Sequence, residues 1–460
     1  MAAFTQIPKV DKLLAEPAFQ LLQQAYPYPL LLKALRTALD SIRTGIRTGH
    51  FQQDAISTDQ LLVTVTAELQ RAAALSLRRV INATGTIIHT NLGRSPLPAK
   101  ISGHLAEIAS HYCNLELDTD SGERGDRHLH VEPLICELTG AEAALVVNNN
   151  AAALLLALAA LARGKEVIVS RGELVEIGGS FRIPEIMEQS GARLREVGTT
   201  NRTHLKDYQK GINAETALLL KVSCSNFAMV GFTAEVAVKE LTSLGAASGI
   251  PVMVDAGSGA LVDLEPLLGC REITVRKYLE DGADLVVFSG DKLLGGSQVG
   301  IIAGRRELVG QLKKHPLLRA LRLDKTALAA LEATLQLYRD ERSVLREIPT
   351  LRMLTMTPAE LAKRAGKLLR MARRQAGEGV RLQLLDGFSA VGGGALPALQ
   401  LPTRLVAVTS SRHSAEAIDR SLRSFETPVI ARIAKGSLLL DVRTLLDDDF
   451  ELLAKAIGSL

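Results

Sequence analysis

Between about residue 130 and residue 305, short apolar runs alternate with helical stretches, and this rhythm limits the fold more than any other feature of the chain. Ala144–Asn148, Glu166–Ser170, Leu194–Val197, Ala217–Val222, Val252–Asp255, Leu285–Phe288 and Gly300–Ala303 each read as a strand. These runs are mostly continuous in their apolar residues rather than alternating, as expected of strands buried on both faces. The Ala-rich stretch ending at Ala162, a segment around Ile183–Gln189 and another over Val236–Ala247 supply helices between them. The pattern predicts an α/β chain whose mostly parallel, doubly wound sheet is covered by helices on both sides. Ligands then belong at the C-terminal ends of the strands.

Two of those strand ends carry chemistry. One run ends in Asp255 and then glycines; another stops at Ser289-Gly290, which should expose Asp291 and Lys292 on a turn before a flexible Gly295-Gly296. Read alone, Lys292 is a solvated turn residue. An acid and a lysine at the ends of two strands of one sheet are what a pyridoxal phosphate enzyme requires. The lysine binds the cofactor aldehyde as a Schiff base, and the carboxylate keeps the pyridine nitrogen protonated so that the ring accepts electrons. Asn148, Asn149, Asn150 and Ala151 fall where the first strand turns into a helix. Free backbone N–H groups there suit the cofactor phosphate, although simple capping by Asn explains the same residues.

The flanks differ from this centre. Residues 1 to about 78 read as helical, with Tyr26-Pro-Tyr-Pro29 as a break and Thr58 as the N-cap of a helix running to Arg79. Lys33, Arg36, Arg43 and Arg47 are spaced so that several share one face, which is either a solvated surface or a phosphate-binding one. Val80–Pro96, which contains Arg94, reads as an extended arm or loop. Ser121–His128 reads as a dense polar loop outside the core, lying on the surface or covering an active site. Leu312–Lys325 is strongly basic, and on a helix Arg319 and Arg322 would project side by side. A helix over Thr326–Arg339 leads to a smaller α+β region, with strands at Arg404–Thr409 and Gly436–Asp441. Gly392-Gly-Gly394 is a flexible turn and not a phosphate loop, because no Lys-Ser/Thr follows it.

Composition excludes several classes. At 460 residues there is room for two or three domains, and 3% aromatic content without Trp argues against base-stacking platforms. A net charge of +4 permits a nucleic-acid partner without demonstrating one. Cys113, Cys136, Cys224 and Cys270 are scattered, so neither a zinc site nor a disulfide framework is expected, and a reducing compartment fits. No apolar run approaches the roughly 20 residues of a membrane helix, and the first residues lack the apolar core of a signal peptide. The expectation is a soluble, cytoplasmic protein without a metal site.

Longer stretches go further. INATGTIIHTNLGRSPLP, NLELDTDSGERGDRH, VVNNNAAAL, VDAGSGAL, FSGDKLLGGSQ and LLRALRLDK closely resemble the bacterial selenocysteine synthases, the L-seryl-tRNA(Sec) selenium transferases. The resemblance runs over essentially the whole chain. It implies a fold-type I pyridoxal phosphate transferase domain over 79–335, preceded by a helical tRNA-binding domain over 1–78 and followed by a small α+β domain over 336–460. Carried over position by position, it implies Lys292 as the Schiff-base lysine and Asp255 as the partner of the pyridine nitrogen. Asn148, Asn149, Asn150, Ala151 and Ser289 would hold the phosphate. Arg94, Arg319 and Arg322 would bind the selenium donor, selenophosphate, and a guanidinium fork suits such an oxyanion. Asp291 would help to position the seryl group.

The implied reaction turns seryl-tRNA(Sec) into selenocysteinyl-tRNA(Sec) by β-elimination and selenium addition, in a decamer built as a pentamer of dimers with active sites between subunits. Two other readings stay open. One is a fold-type I lyase acting on a free amino acid or amino sugar, which would share Lys292 and Asp255 but have less use for the basic helices and three arginines. The other is a tRNA-binding protein without catalysis, against which the intact Lys292 and Asp255 stand. The residue stacking on the cofactor ring is not assigned, although Arg171-Gly-Glu173 lies near its expected place.

Overall fold

The computed structural model describes residues 8–48, 57–177, 181–223 and 226–460. The chain divides into two compact units, Met1–Arg79 and Val80–Leu460. Cys224 lies outside the described residues; Cys113, Cys136 and Cys270 are free thiols.

The first unit contains α1 (Val10–Leu14), α2 (Pro17–Ala25), α3 (Tyr28–Arg47) and α4 (Thr58–Ala73). Pro17 and Pro29 lie in the first turns of α2 and α3, where a missing N–H costs nothing, so they start helices as much as break them. On α3, Leu31, Ala34, Leu35, Ala38, Leu39 and Ile42 recur at steps of three and four and share a core with Leu61, Val65 and Leu69 of α4. Lys33, Arg36, Arg43 and Arg47 stand exposed, away from that core. The cap of α4 is Ser57 rather than Thr58: the Gln60 N–H donates to Ser57 Oγ at 3.2 Å. α4 also stops at Ala73 instead of running to Arg79; Leu75 and Leu77 are exposed, so no apolar contact prolongs it.

The second unit is built on a seven-stranded sheet. Its strands are β1 (Ala143–Val147), β2 (Glu166–Ser170), β3 (Arg193–Val197), β4 (Thr216–Val222), β5 (Val252–Gly257), β6 (Leu285–Ser289) and β7 (Gly300–Gly304). Their spatial order is β1-β7-β6-β5-β4-β2-β3. β7 runs antiparallel to both of its neighbours, and the other pairings are parallel. Successive residues serve opposite faces: Ala144, Val146, Val254, Val286, Phe288 and Ile301 enter one core, whereas Leu145, Val147, Met253, Leu285, Val287 and Ile302 enter the other. Burial on both faces explains the unbroken apolar runs. The helix α5 (Asn150–Leu161) follows β1, and α6 (Leu317–Leu321) and α7 (Lys325–Leu337) follow β7. Asp324 caps α7 by accepting from the N–H groups of Thr326 at 2.7 Å and Ala327 at 3.1 Å.

α8 (Pro358–Gln375) then packs Leu361, Ala365, Leu368 and Ala372 into a third core beside an antiparallel sheet. That sheet contains β8 (Val380–Ala390), β9 (Gln400–Ser410), β10 (Arg432–Ala434) and β11 (Ser437–Asp441) in the order β8-β9-β11-β10. β8 has no counterpart in the sequence reading, because most of its residues are exposed or half-buried and Gln, Asp and Gly interrupt the apolar ones. The short strand Ile81–Asn82 pairs in parallel with Val429–Ile430, so the chain just after Arg79 joins this C-terminal region. Gly392 and Gly393 are not loose either; a Cβ on either would lie within 3.0 Å of the Ile88 carbonyl oxygen.

One buried acid ties this region together. Asp441 is fully enclosed and accepts from Ser389 Oγ at 2.8 Å, Thr403 Oγ1 at 2.8 Å and the Arg443 N–H at 3.1 Å. The Arg432 guanidinium lies 3.4 Å away. Asp441→Ala would strand these donors and is expected to cost about 3 kcal/mol, read from the urea midpoint. A loss below about 1 kcal/mol would contradict this account of the network.

Candidate active site

Asp255, at the end of β5, is buried. Its Oδ1 accepts from Asn150 Nδ2 at 2.8 Å and from the Gly257 N–H at 3.1 Å. Burial raises this carboxyl; the Asn150 amide, the charge of Lys292 and the Gly257 N–H oppose that rise. On the neighbouring β6, Ser289 is buried and leads into Asp291 and Lys292. Both are buried, 5% and 4% exposed, which corrects the expectation of an exposed turn. Gly295 and Gly296 are buried as well, against the expectation of flexibility. The turn after β5 lies hard against this segment: Gly259, at φ +71°, would put a Cβ 2.3 Å from the Ser289 carbonyl oxygen.

The lysine sits in a tight electrostatic setting. Burial lowers Lys292 from the ordinary lysine value; Asp255 opposes that shift, the Arg94 guanidinium adds to it, and Asp291 and Glu272 also oppose it. Arg94 Nη1 donates to Asp291 Oδ2 at 2.8 Å. Ser95 fastens the same turn twice, its N–H to the Asp291 carbonyl at 3.3 Å and its Oγ to the Lys292 carbonyl at 2.7 Å. Arg94 has φ 61°, in the left-handed region that a residue other than glycine enters at a cost of about 1–3 kcal/mol. The ion pair and the two Ser95 bonds hold it there.

The asparagine turn divides its work. The Asn149 side chain caps α5 by accepting from the Ala152 N–H at 2.9 Å, so the simple capping reading holds for that residue. The Asn150 side chain reaches Asp255, and its Oδ1 is buried without a partner among the described residues. The Asn148 N–H donates to the Leu321 carbonyl at 3.0 Å, which seats the end of α6 beside this turn. Gly300 makes the approach of β7 possible, since a Cβ there would lie 2.1 Å from the Asn149 carbonyl oxygen.

The arginines do not form one cluster within the chain. Arg94 touches the lysine turn, whereas Arg319 stands exposed on α6. α6 ends at Leu321, so Arg322 is its extended C-cap and not a helical neighbour of Arg319. Arg322 faces Glu116 at 3.8 Å. Glu116 also takes Arg124 at 3.2 Å and Arg127, whose guanidinium reaches the Leu323 carbonyl. The polar loop is thereby an ordered turn, with Asp118 Oδ1 accepting from the N–H groups of Asp120 and Ser121, and His128 is buried.

Several groups escaped the sequence reading. Ser258 donates to the largely buried Glu272, whose carboxyl burial raises, and the Ser258 carbonyl accepts from the Leu293 N–H at 3.0 Å. Glu173 is buried and accepts from Lys221 Nζ and the Val222 N–H, each at 2.8 Å. Burial works against the charge on Lys221, but Glu173 and Glu235 together raise it. Arg171 pairs with Glu196 at 2.8 Å, so the 171–173 segment is held by ion pairs. The unbroken strand pattern concealed Lys221, a charge inside an apolar run.

The donor set fits pyridoxal phosphate. A buried carboxylate, a buried amine whose charged form burial disfavours and a helix start lie at strand ends of one sheet, with a buried unpartnered acceptor on Asn150 beside the carboxylate.

The geometry agrees with what the chain is similar to. A family model described as L-seryl-tRNA selenium transferase matches residues 80–446, and one described as selenocysteine synthase N terminal matches residues 4–43. The L-seryl-tRNA(Sec) selenium transferase of Geobacter metallireducens is 56% identical over 460 residues, covering 100% of both chains. That of Desulfomicrobium baculatum is 48% identical over 99% of this chain and 98% of its own. The solved structure of D-glucosaminate-6-phosphate ammonia-lyase superposes with a TM-score of 0.57 at 22% identity, over 85% of this chain and 97% of that one, a likeness of fold.

Because burial favours the neutral amine of Lys292, and only that form attacks an aldehyde, capture of pyridoxal phosphate by cofactor-free protein should already be fast below the ordinary lysine value of 10.5. Stopped-flow absorbance against pH should give a midpoint under that value. Asp255→Asn, which removes a charge that raises Lys292, should lower it further. A midpoint at or above 10.5 would contradict the burial argument.

Proposed function

The chain belongs to the L-seryl-tRNA selenium transferase family, and we propose that it converts L-seryl-tRNA(Sec) to L-selenocysteinyl-tRNA(Sec) with pyridoxal phosphate as cofactor. The observation that carries this reading is the buried pair Asp255 and Lys292 on neighbouring strands, in a chain similar to these transferases from end to end. Pyridoxal phosphate supplies the electron sink that makes the seryl Cα–H acidic and lets the Cβ hydroxyl depart.

The residues divide the remaining work. Lys292 would hold the cofactor through its side-chain amine, and that amine, when neutral and free, would accept the Cα proton. As an ammonium it then returns a proton to the departing hydroxyl, which leaves as water. Asp255, steadied by Asn150 and Gly257, keeps the pyridine nitrogen protonated. Asn148, Asn149, Asn150 and Ala151, at the start of α5, and Ser289 hold the phosphate. Asp291 orients the seryl group, and Arg94 sets the carboxylate's direction. Selenium would add at Cβ, water would cleave the Se–P bond so that phosphate leaves, and Cα would regain a proton. We assign the donor as selenophosphate, held by Arg94, Arg319 and Arg322 where subunits of the assembly meet, since these arginines do not cluster within one chain. The seryl group is esterified, so a clamp for a free carboxylate is unnecessary.

The exposed cations of the helical region 1–78, including Lys33, Arg36, Arg43 and Arg47, contact the tRNA backbone in this reading. Residues 79–335 act as the cofactor domain and 336–460 as a small partner domain. The assembly is a decamer of five dimers in the cytoplasm. Among the described residues no helix is long and apolar enough to cross a membrane.

Single-turnover conversion of seryl-tRNA(Sec) with selenophosphate tests the reading. Wild-type protein should form selenocysteinyl-tRNA(Sec), and Lys292→Ala should be slower by at least about 1,000-fold. Arg319→Ala should weaken use of the selenium donor by about tenfold or more while leaving tRNA binding in place. A wild type that binds the cofactor and forms no product would transfer the site to a small-molecule lyase.

A further inference from the structure

Three adjoining hollows in the second unit make one trough. The smallest, about 120 Å³, is lined by Gly93, Arg94 and Ser95, the loop clamped onto Asp291 and Lys292, and by Met353 and Leu446. Met353 and Leu446 also line the second, of about 460 Å³. That hollow shares Arg346, Arg352 and Met356 with the third, of about 610 Å³. The far wall of the third is α8. Lys363, Lys367 and Arg370 stand there four and three residues apart, exposed on the side away from buried Leu361, Ala365, Leu368 and Ala372.

Most carboxylates near this wall are already engaged. Asp447 takes Arg352 at 3.0 Å and Arg364 at 2.7 Å, and Glu360 caps α8 through the Thr357 N–H at 2.7 Å. Among the described residues, none lies within 4.0 Å of the cationic nitrogens of Arg346, Lys363, Lys367 or Arg370. Glu347 and Asp448 line the middle hollow, so positive charge concentrates at the end remote from Arg94. Lys367 Nζ lies 4.8 Å and the Arg364 guanidinium 4.9 Å from the centroid of the buried Phe450 ring, which steadies both cations at this wall. A wall of this kind grips phosphates without reading bases.

We propose that the trough is a second RNA-binding surface: α8 holds the ribose-phosphate backbone of the aminoacyl arm of the tRNA substrate, and the single-stranded 3′ end runs through the middle hollow, along Met353, Met356 and Leu446, toward Arg94 and Lys292. The inference rests on the seryl-tRNA reading above. The reacting serine is a small group at the end of a long polyanion, and a buried lysine turn offers no grip on that polyanion. A cationic wall joined to the Arg94 loop by shared lining residues supplies one.

The test uses the full-length protein with its cofactor and measures fluorescence anisotropy of deacylated tRNA(Sec) over a salt series. K363E/K367E/R370E should bind at least about tenfold more weakly near physiological salt. Its slope of log affinity against log salt should shrink by about 2–3, roughly one per lost phosphate contact. K363R/K367R/R370K should keep the wild-type slope, as a charge-based grip demands and a purely structural role does not. If charge reversal prevents folding, judged by circular dichroism, K363Q/K367Q/R370Q is read in its place. Unchanged affinity and slope in the folded variant overturn the proposal. Product formation alongside unchanged binding would sink the groove alone. Charge-dependent binding without product would sink the reaction and leave the groove standing.

Discussion

A carboxylate and an amine, both out of reach of water, lie at the ends of adjacent strands, and the rest of the second unit can be understood as the means of keeping them there. Charge buried without compensation costs several kcal/mol, so each group needs fixed partners. Asp255 has the Asn150 amide and the Gly257 N–H. Burial raises Asp255 even so, and it lowers Lys292, a shift that Asp255 opposes only in part. The pair thus holds an acid and a base that burial shifts in opposite directions. The parallel sheet contributes by ending β5 and β6 side by side, so that neither residue depends on a long loop for its position.

The strand alternation was legible because both faces of the sheet are buried, which wrote the strands as apolar runs. Asp255 and Lys292 could be picked out because they end such runs. Their burial could not, since a lysine after Ser-Gly looks the same whether or not another segment covers it. What covers it is the Arg94-Ser95 loop, almost 200 residues away in sequence. The same limit explains Asn150: a capping residue and a ligand of a distant aspartate are the same letter until β1 and β5 are placed in one sheet. Arg322 went astray for a smaller reason, the end of α6 one residue earlier, which removed the helical spacing that paired it with Arg319. β8 stayed hidden because an edge strand with few buried residues leaves little hydrophobic pattern.

Likeness of fold alone would not have separated the readings. A sheet of this kind serves many chemistries, and the ammonia-lyase likeness at 22% identity speaks only for the scaffold. The discrimination lies in the relatives that match from end to end and in parts a small-molecule enzyme would not need, among them the cationic helices before Val80 and the basic wall of α8. Both suit a substrate whose reacting atoms are a small fraction of its mass.

The strap from Ile81 to Ser95 is fastened at two places within the second unit. Its first residues are stitched to the C-terminal region, through the Ile81 and Ala83 N–H groups to the Pro428 and Ile430 carbonyls at 2.8 Å each. Ile87 and Ile88 donate to the Ala390 and Val391 carbonyls at 3.0 and 2.8 Å. Its last residues are pinned to the lysine turn. Only the short stretch after Ile88 separates the two anchorages, about 20 Å at full extension. A tether that short transmits displacement instead of absorbing it. Any displacement of the C-terminal region relative to the large sheet would therefore be handed on to Arg94, and through it to the carboxylate beside the lysine.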